Sequence, residues 1–178
     1  MIKRGPFGLE MGMRPEEVSN QMEEINPGRY LTKSVPKPHS AFQQYVLAFS
    51  ERQGLYEIRA LSEDFSSSAY GNEVQGRFFA LKEKLEKAYG DCKLYDFLFV
   101  DSIWDEPRDW MQGLLSQERA LSGHWERKEG ATLDNGIEAI YLRGHATSTS
   151  EGYISLSYCF ENYDTAQAEL AALEDDAL

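Results

Sequence analysis

YGNEVQGRFFALKEKLEKAY, residues 70–89, decides how the rest of the chain is read. Val74, Phe78, Leu81, Leu85 and Ala88 fall at offsets of 0, 4, 7, 11 and 14, the stripe of a helix with one buried face. Arg77, Lys82, Glu83, Lys84, Glu86 and Lys87 fill the opposite side. Gly90 follows as a C-cap, where a left-handed residue ends a helix without a Cβ penalty. The stretches on either side alternate like strands, so this helix is expected to lie on a sheet.

Immediately upstream, Tyr45, Leu47 and Phe49 oppose Gln44, Val46 and Ala48, and after a short polar link Tyr56, Ile58 and Ala60 oppose Glu57 and Arg59. Two alternating runs joined by a link containing Gly54 predict an antiparallel hairpin over 42–62. Downstream, Ile137–Arg143 and Gly152–Glu161 predict a second hairpin, 137–161. Ile154, Leu156, Tyr158 and Phe160 form one face of its last strand, and Ser155, Ser157 and Cys159 the other. Asp164 and Gln167 have the spacing of a capping box ahead of a weak stripe, Ala166, Leu170 and Leu173. A third helix is expected over 107–128, opened by Glu106-Pro107, with Trp110, Leu114, Leu121 and Trp125 at offsets of 0, 4, 11 and 15. Leu94–Trp104 is apolar and aromatic, and its period allows either a strand or a buried connection.

Near the start, residues 5–13 read as a strand or extended lead-in. Pro15 suits a first helical turn, with Glu16 and Glu17 at its positive end. Arg14 takes the N-cap place, Glu17 the N3 place, and Met13 and Val18 those of a hydrophobic staple. This short helix is expected to end near Ile25, because Asn26-Pro27-Gly28 is a strong breaker. Tyr30–Val35 is a candidate strand, after which Pro36 and Pro38 force an extended connection. The expected fold class is α+β: two layers, an antiparallel sheet from hairpins 42–62 and 137–161 with helices 70–89 and 107–128 packed on it. At 178 residues the chain suits one globular domain, 1–178.

Eighteen basic residues against 30 acidic ones give a net charge of −12 and a pI near 4.7. Such a field opposes nucleic acid and anionic lipid and attracts a basic protein. No apolar h-region follows the two basic residues near the start, and no run approaches a membrane span, so a cytoplasmic protein is expected. Two cysteines, Cys92 and Cys159, make no disulfide framework.

Chemistry-bearing motifs are sparse. His39, His124 and His145 lack the local pairs of a zinc site. No serine elbow, Walker loop or dinucleotide glycine motif occurs, and no cofactor is expected. Asp101, Asp105 and Asp109 are spaced by four, which on one helix would align three carboxylates for a divalent cation. Pro107 places the helix start after the first two, so Asp105 reads better as an N-cap. An enzyme would have to assemble its site from distant pieces such as His39, Asp101, His124 and Cys159.

The aromatic residues point elsewhere. Trp104, Trp110 and Trp125 gather around the expected third helix, beside Asp101, Asp105, Glu106 and Asp109. Buried, the rings are core. Exposed, they make an acidic, ring-rich surface suited to docking a basic protein. The expected role is therefore a cytoplasmic binding protein that masks or inhibits a basic partner, in the manner of a toxin-neutralising immunity protein. A self-associating structural protein is the other alternative.

The opening Phe7-Gly8-Leu9-Glu10-Met11-Gly12-Met13-Arg14-Pro15-Glu16-Glu17-Val18 resembles the start of small two-layer bacterial proteins, G-L-x-x-G-M, then Ser or Thr, then x-x, Glu or Gln, and Val. These include the outer-membrane assembly lipoprotein and β-lactamase-inhibitor-like folds. The chain departs at Arg14, where a hydroxyl N-cap is usual, and has no lipoprotein cysteine. The resemblance implies helices on one face of an antiparallel sheet, and binding more than catalysis.

Overall fold

The computed structural model describes residues 5–178. Its fold is two-layer α+β. The helices α1 (Pro15–Val18), α2 (Asn72–Tyr89), α3 (Trp110–Leu115) and α4 (Tyr163–Asp175) accompany nine strands: β1 (Glu23–Asn26), β2 (Arg29–Thr32), β3 (Gln44–Ser50), β4 (Gly54–Leu61), β5 (Phe65–Ser66), β6 (Lys93–Leu98), β7 (Arg119–Glu126), β8 (Ile137–Ala146) and β9 (Glu151–Phe160). Strand order is β1-β2-β3-β4-β9-β8-β7-β6, with β5 pairing β9. Both expected hairpins are present as β3–β4 and β8–β9. The contacts divide the described residues into two compact units, one of residues 5–60, 133–140 and 157–178, the other of 61–132 and 141–156.

In the first unit, β2 pairs antiparallel with β3 in the register Arg29↔Ala48 to Thr32↔Tyr45. One face of β3 packs on α4, where Ala48, Tyr56 and Ala166 form a buried cluster flanked by Tyr163 and Leu170. Glu169 of α4 clamps the β3–β4 turn, accepting from Ser50 Oγ at 2.8 Å and the Arg52 amide at 3.0 Å. The other face meets Phe7, whose ring makes edge contacts with Phe42, Tyr45 and Tyr158. Phe7 has φ +56°, rare for a bulky residue, and those ring contacts hold it there. The lead-in is not a strand: Pro6–Gly8 makes a 3-10 turn, and the segment after it is bound to β4, the Gly12 amide donating to Leu55 O at 2.9 Å and the Leu55 amide to Met13 O at 2.8 Å.

The early helix is shorter than expected. It ends at Val18, and Glu23–Asn26 is strand β1, paired with β2. Asn26-Pro27-Gly28 makes the hairpin turn instead of a helix stop, because β3 offers β2 an edge and β2 offers one to β1. The Arg14 position is correct, and Glu17 accepts from the Arg14 amide at 2.9 Å. The guanidinium, having no acceptor, reaches instead to the Glu51 and Arg52 carbonyls. Asp164 does not cap α4; the residue before the helix is Asn162, whose Nδ2 donates to the Gln53 and Leu55 carbonyls.

In the second unit, α2 lies on the β8–β9 hairpin. Val74 packs against Gly144 and Gly152, where only a hydrogen fits under the helix. Val74, Phe78 and Leu85 are buried as the stripe requires, whereas Ala88 is exposed. Gly71 precedes the helix at φ +70°, beneath the Trp110 ring. Glu73 reaches back to the Ser68 amide at 2.7 Å and Ser67 Oγ at 3.1 Å, and these hydrogen bonds lower its pKa.

The expected helix over 107–128 does not form. A 3-10 turn (Pro107–Asp109) leads into α3, which stops at Leu115; Gln117 turns at φ +59°, and Arg119–Glu126 is strand β7. Leu121 and Trp125 are four apart, and four is a multiple of the strand period as well as one helical turn. They share a face in either conformation. Pairing with β6 makes the segment extended, and Gly123 is buried between them at strand spacing.

Candidate binding surface

Strand β6 ends the sheet order. Its inner side pairs β7 in the register Lys93↔His124 to Leu98↔Arg119, and among the described residues no strand pairs its outer side. The ladder runs one step further, with the Phe99 amide donating to Glu118 O at 2.7 Å. Asp101 then turns at φ +71°, a left-handed conformation that aspartate tolerates better than most residues.

This turn throws apolar side chains outward. Phe97 is 44% exposed, Phe99 46%, Val100 89% and Ile103 74%. The Phe97 and Phe99 rings touch, centroids 5.3 Å apart. Asp101, Asp105 and Glu106 are exposed in the same segment and Asp109 is half-exposed. Glu106 pairs Arg108 at 2.7 Å. The residue before the 3-10 turn is Glu106 and not Asp105, and no side-chain bond caps it.

The tryptophans separate. Trp125 is fully buried and donates its indole N–H to Gly90 O at 2.7 Å. Trp110 is buried over Gly71, with the Arg119 guanidinium 5.4 Å from its ring centre. Trp104 is half-buried, its Cβ beside Gly113 of α3. Of the seven residues named from the sequence, the surface therefore contains Asp101, Trp104, Asp105, Glu106 and Asp109; Trp110 and Trp125 belong to the interior. Phe97 and Phe99, upstream members of the aromatic cluster, join the surface, as do Val100 and Ile103, which the sequence does not single out. Their signal was the run of apolar residues broken by Asp96 and Asp101, which spoils any fully buried reading.

The residues considered for an enzyme are divided between the units: His39 and Cys159 in the first, Asp101 and His124 in the second. Among the described residues no three His, Cys, Asp or Glu side chains gather as a metal site. Burial pushes the Cys92 thiol up to about 11, which keeps it a protonated, poorly nucleophilic group at neutral pH.

His124 sits in a polar row along β7. Its Nε2 is 3.0 Å from Ser122 Oγ and its Nδ1 3.7 Å from Glu126, while Glu126 also pairs Lys128 at 3.1 Å. Burial, then the Arg143 guanidinium, hold the imidazole below its ordinary value of 6.5. In the window below about 6.5 the unfolded chain takes up a proton that folded His124 resists, so stability falls as pH drops through it. Urea unfolding between pH 7 and 5 should show this fall partly removed in His124→Gln. An unchanged slope in that variant would assign the effect to other groups.

Comparison with protein families, curated proteins and solved structures found no match. The resemblance of residues 7–18 stands on those residues alone. No helix among the described residues is long and apolar enough to cross a membrane.

Proposed function

We propose that this chain is an acidic cytoplasmic binding protein that masks a basic protein partner, as a toxin-neutralising immunity protein does. One observation carries the reading: Phe97, Phe99, Val100 and Ile103 stand exposed among Asp101 and Asp105, beside an unpaired strand edge. Burying an exposed aliphatic side chain contributes about 1.5–3 kcal/mol, so Val100 and Ile103 alone offer a docking core. The carboxylates around them, on a chain of net charge −12, select a basic partner and speed its approach. A free edge accepts an added strand, while the same carboxylates oppose pairing with a second copy.

The test is affinity capture from the native host with wild-type chain and an Ile103→Arg variant, followed by size measurement of the purified chain. The expected result is a partner of basic isoelectric point, held by wild type, released by salt and weakened at least about 30-fold in the variant, the range of an interface hot spot. A partner held equally by both overturns this surface. A stable homodimer that Ile103→Arg dissociates replaces the masking role with self-association.

A further inference from the structure

A cleft of about 430 Å³ opens at the start of β7, lined by Leu114, Leu115, Gln117, Arg119, Ser122, Arg143, His145 and Tyr153 with short stretches of β7 and β8 backbone. Its charge runs against the rest of the molecule. Two arginines and a histidine line it, and among the described residues no carboxylate does, on a chain with 30 acidic and 18 basic residues. Two other clefts lack this bias: one of about 640 Å³ has Glu23 and Lys33, and one of about 250 Å³ has Asp91, Glu126 and Glu129 against Lys93 and His124.

Three further features suit a ligand. Arg119 lines the cleft through the outer nitrogens of its guanidinium, its Nε being buried and, among the described residues, without a hydrogen-bond partner. Its guanidinium stands 3.9 Å from Asp96 and 5.4 Å from the centre of the Trp110 ring. The His145 and Tyr153 rings are stacked, centroids 4.4 Å apart and planes within 10°, and Ser155 Oγ fixes the imidazole at 2.7 Å. The stack supplies a rigid flat wall, and Leu114 and Leu115 an apolar one. Ser122, itself buried, adds a hydroxyl.

We propose that this cleft binds a small phosphorylated ligand carrying an aromatic ring, of mononucleotide size. Its volume lies in the range of ligand sites, about 300–1,000 Å³. Arginine forks match phosphate oxygens, and an aromatic ring stacks on the His145–Tyr153 wall. Asp96, 3.9 Å from Arg119, offsets part of that arginine's charge and leaves Arg143 as the main phosphate contact, while carboxylates beyond about 8 Å are screened at physiological salt.

Calorimetric titration of the full chain with AMP, and separately with inorganic phosphate, tests it. AMP is expected to bind with Kd below about 1 mM, and phosphate alone at least tenfold more weakly. Arg143 is exposed, so Arg143→Glu keeps the fold and should weaken AMP at least tenfold. Lys84→Glu, on α2 outside the cleft, makes the same change in net charge and should leave AMP binding unaltered. Tyr153→Leu should weaken AMP and leave phosphate unchanged. Absence of AMP binding, equal losses in Arg143→Glu and Lys84→Glu, or phosphate binding as tightly as AMP would each overturn the proposal.

Discussion

Trp125→Ala is expected to destabilise the chain by about 3–5 kcal/mol, the cost of emptying a large aromatic site in a packed interior. The side chain is fully buried, and its indole N–H donates to Gly90 O at 2.7 Å. Gly90 caps α2, its amide donating to Glu86 O. The tryptophan therefore ties the end of α2 to strand β7, and removing it opens a cavity and breaks that tie together. Trp125→Phe separates the two effects: it keeps most of the apolar volume and loses only the bond to Gly90 O, an exposed residue that water can serve, for a loss of about 0.5–1.5 kcal/mol. Trp104→Ala, at a half-buried position, should cost much less in stability and show its effect in partner capture. Urea unfolding of the three variants measures all of this; a Trp104→Ala loss equal to that of Trp125→Ala would place Trp104 in the core.

Gly54→Ala should cost about 2–4 kcal/mol, from the left-handed backbone penalty and backbone overlap combined. Gly54 has φ +68°, and a methyl group there would overlap the Gly12 carbonyl oxygen and come within 2.9 Å of Gly12 Cα. Both neighbours are backbone, so relief requires moving the lead-in off β4 and breaking the Gly12–Leu55 and Leu55–Met13 bonds. Gly76→Ala is the control. It lies on the exposed side of α2 with nothing within 4 Å of an added Cβ, and should stabilise by about 0.5–1 kcal/mol through helix propensity. Thermal unfolding that shifts down for Gly54→Ala and up for Gly76→Ala is the expected pair of results; a neutral Gly54→Ala would show that the lead-in detaches freely.

These outcomes follow how the molecule divides its apolar residues. A binding surface at β6 needs rings and aliphatic side chains that the interior has not already taken. Trp110 and Trp125 are taken; Phe97, Phe99, Val100 and Ile103 are not. The proposed masking role accordingly draws on the turn after β6 and on Trp104 rather than on all three tryptophans.

Elements with an unambiguous period were legible from the amino acids alone. Val74, Phe78 and Leu85 repeat at helical spacing over enough turns to exclude a strand, and Ile154, Leu156, Tyr158 and Phe160 repeat at two over enough residues to exclude a helix. The fold class followed from them. Leu121 and Trp125 did not decide between helix and strand, because a separation of four satisfies both, and only pairing with β6 and β8 made 119–126 extended. Glu23–Asn26 carries no period and became a strand because β2 stood beside it. The exposure of Val100 and Ile103, the burial of Trp125, and the meeting of Arg119, Arg143 and Tyr153 in one cleft are all decided by which strand ends the sheet and which strands adjoin it. Strand order is set by long-range pairing, and a local pattern reports only which face of an element is apolar, never which neighbour will cover it.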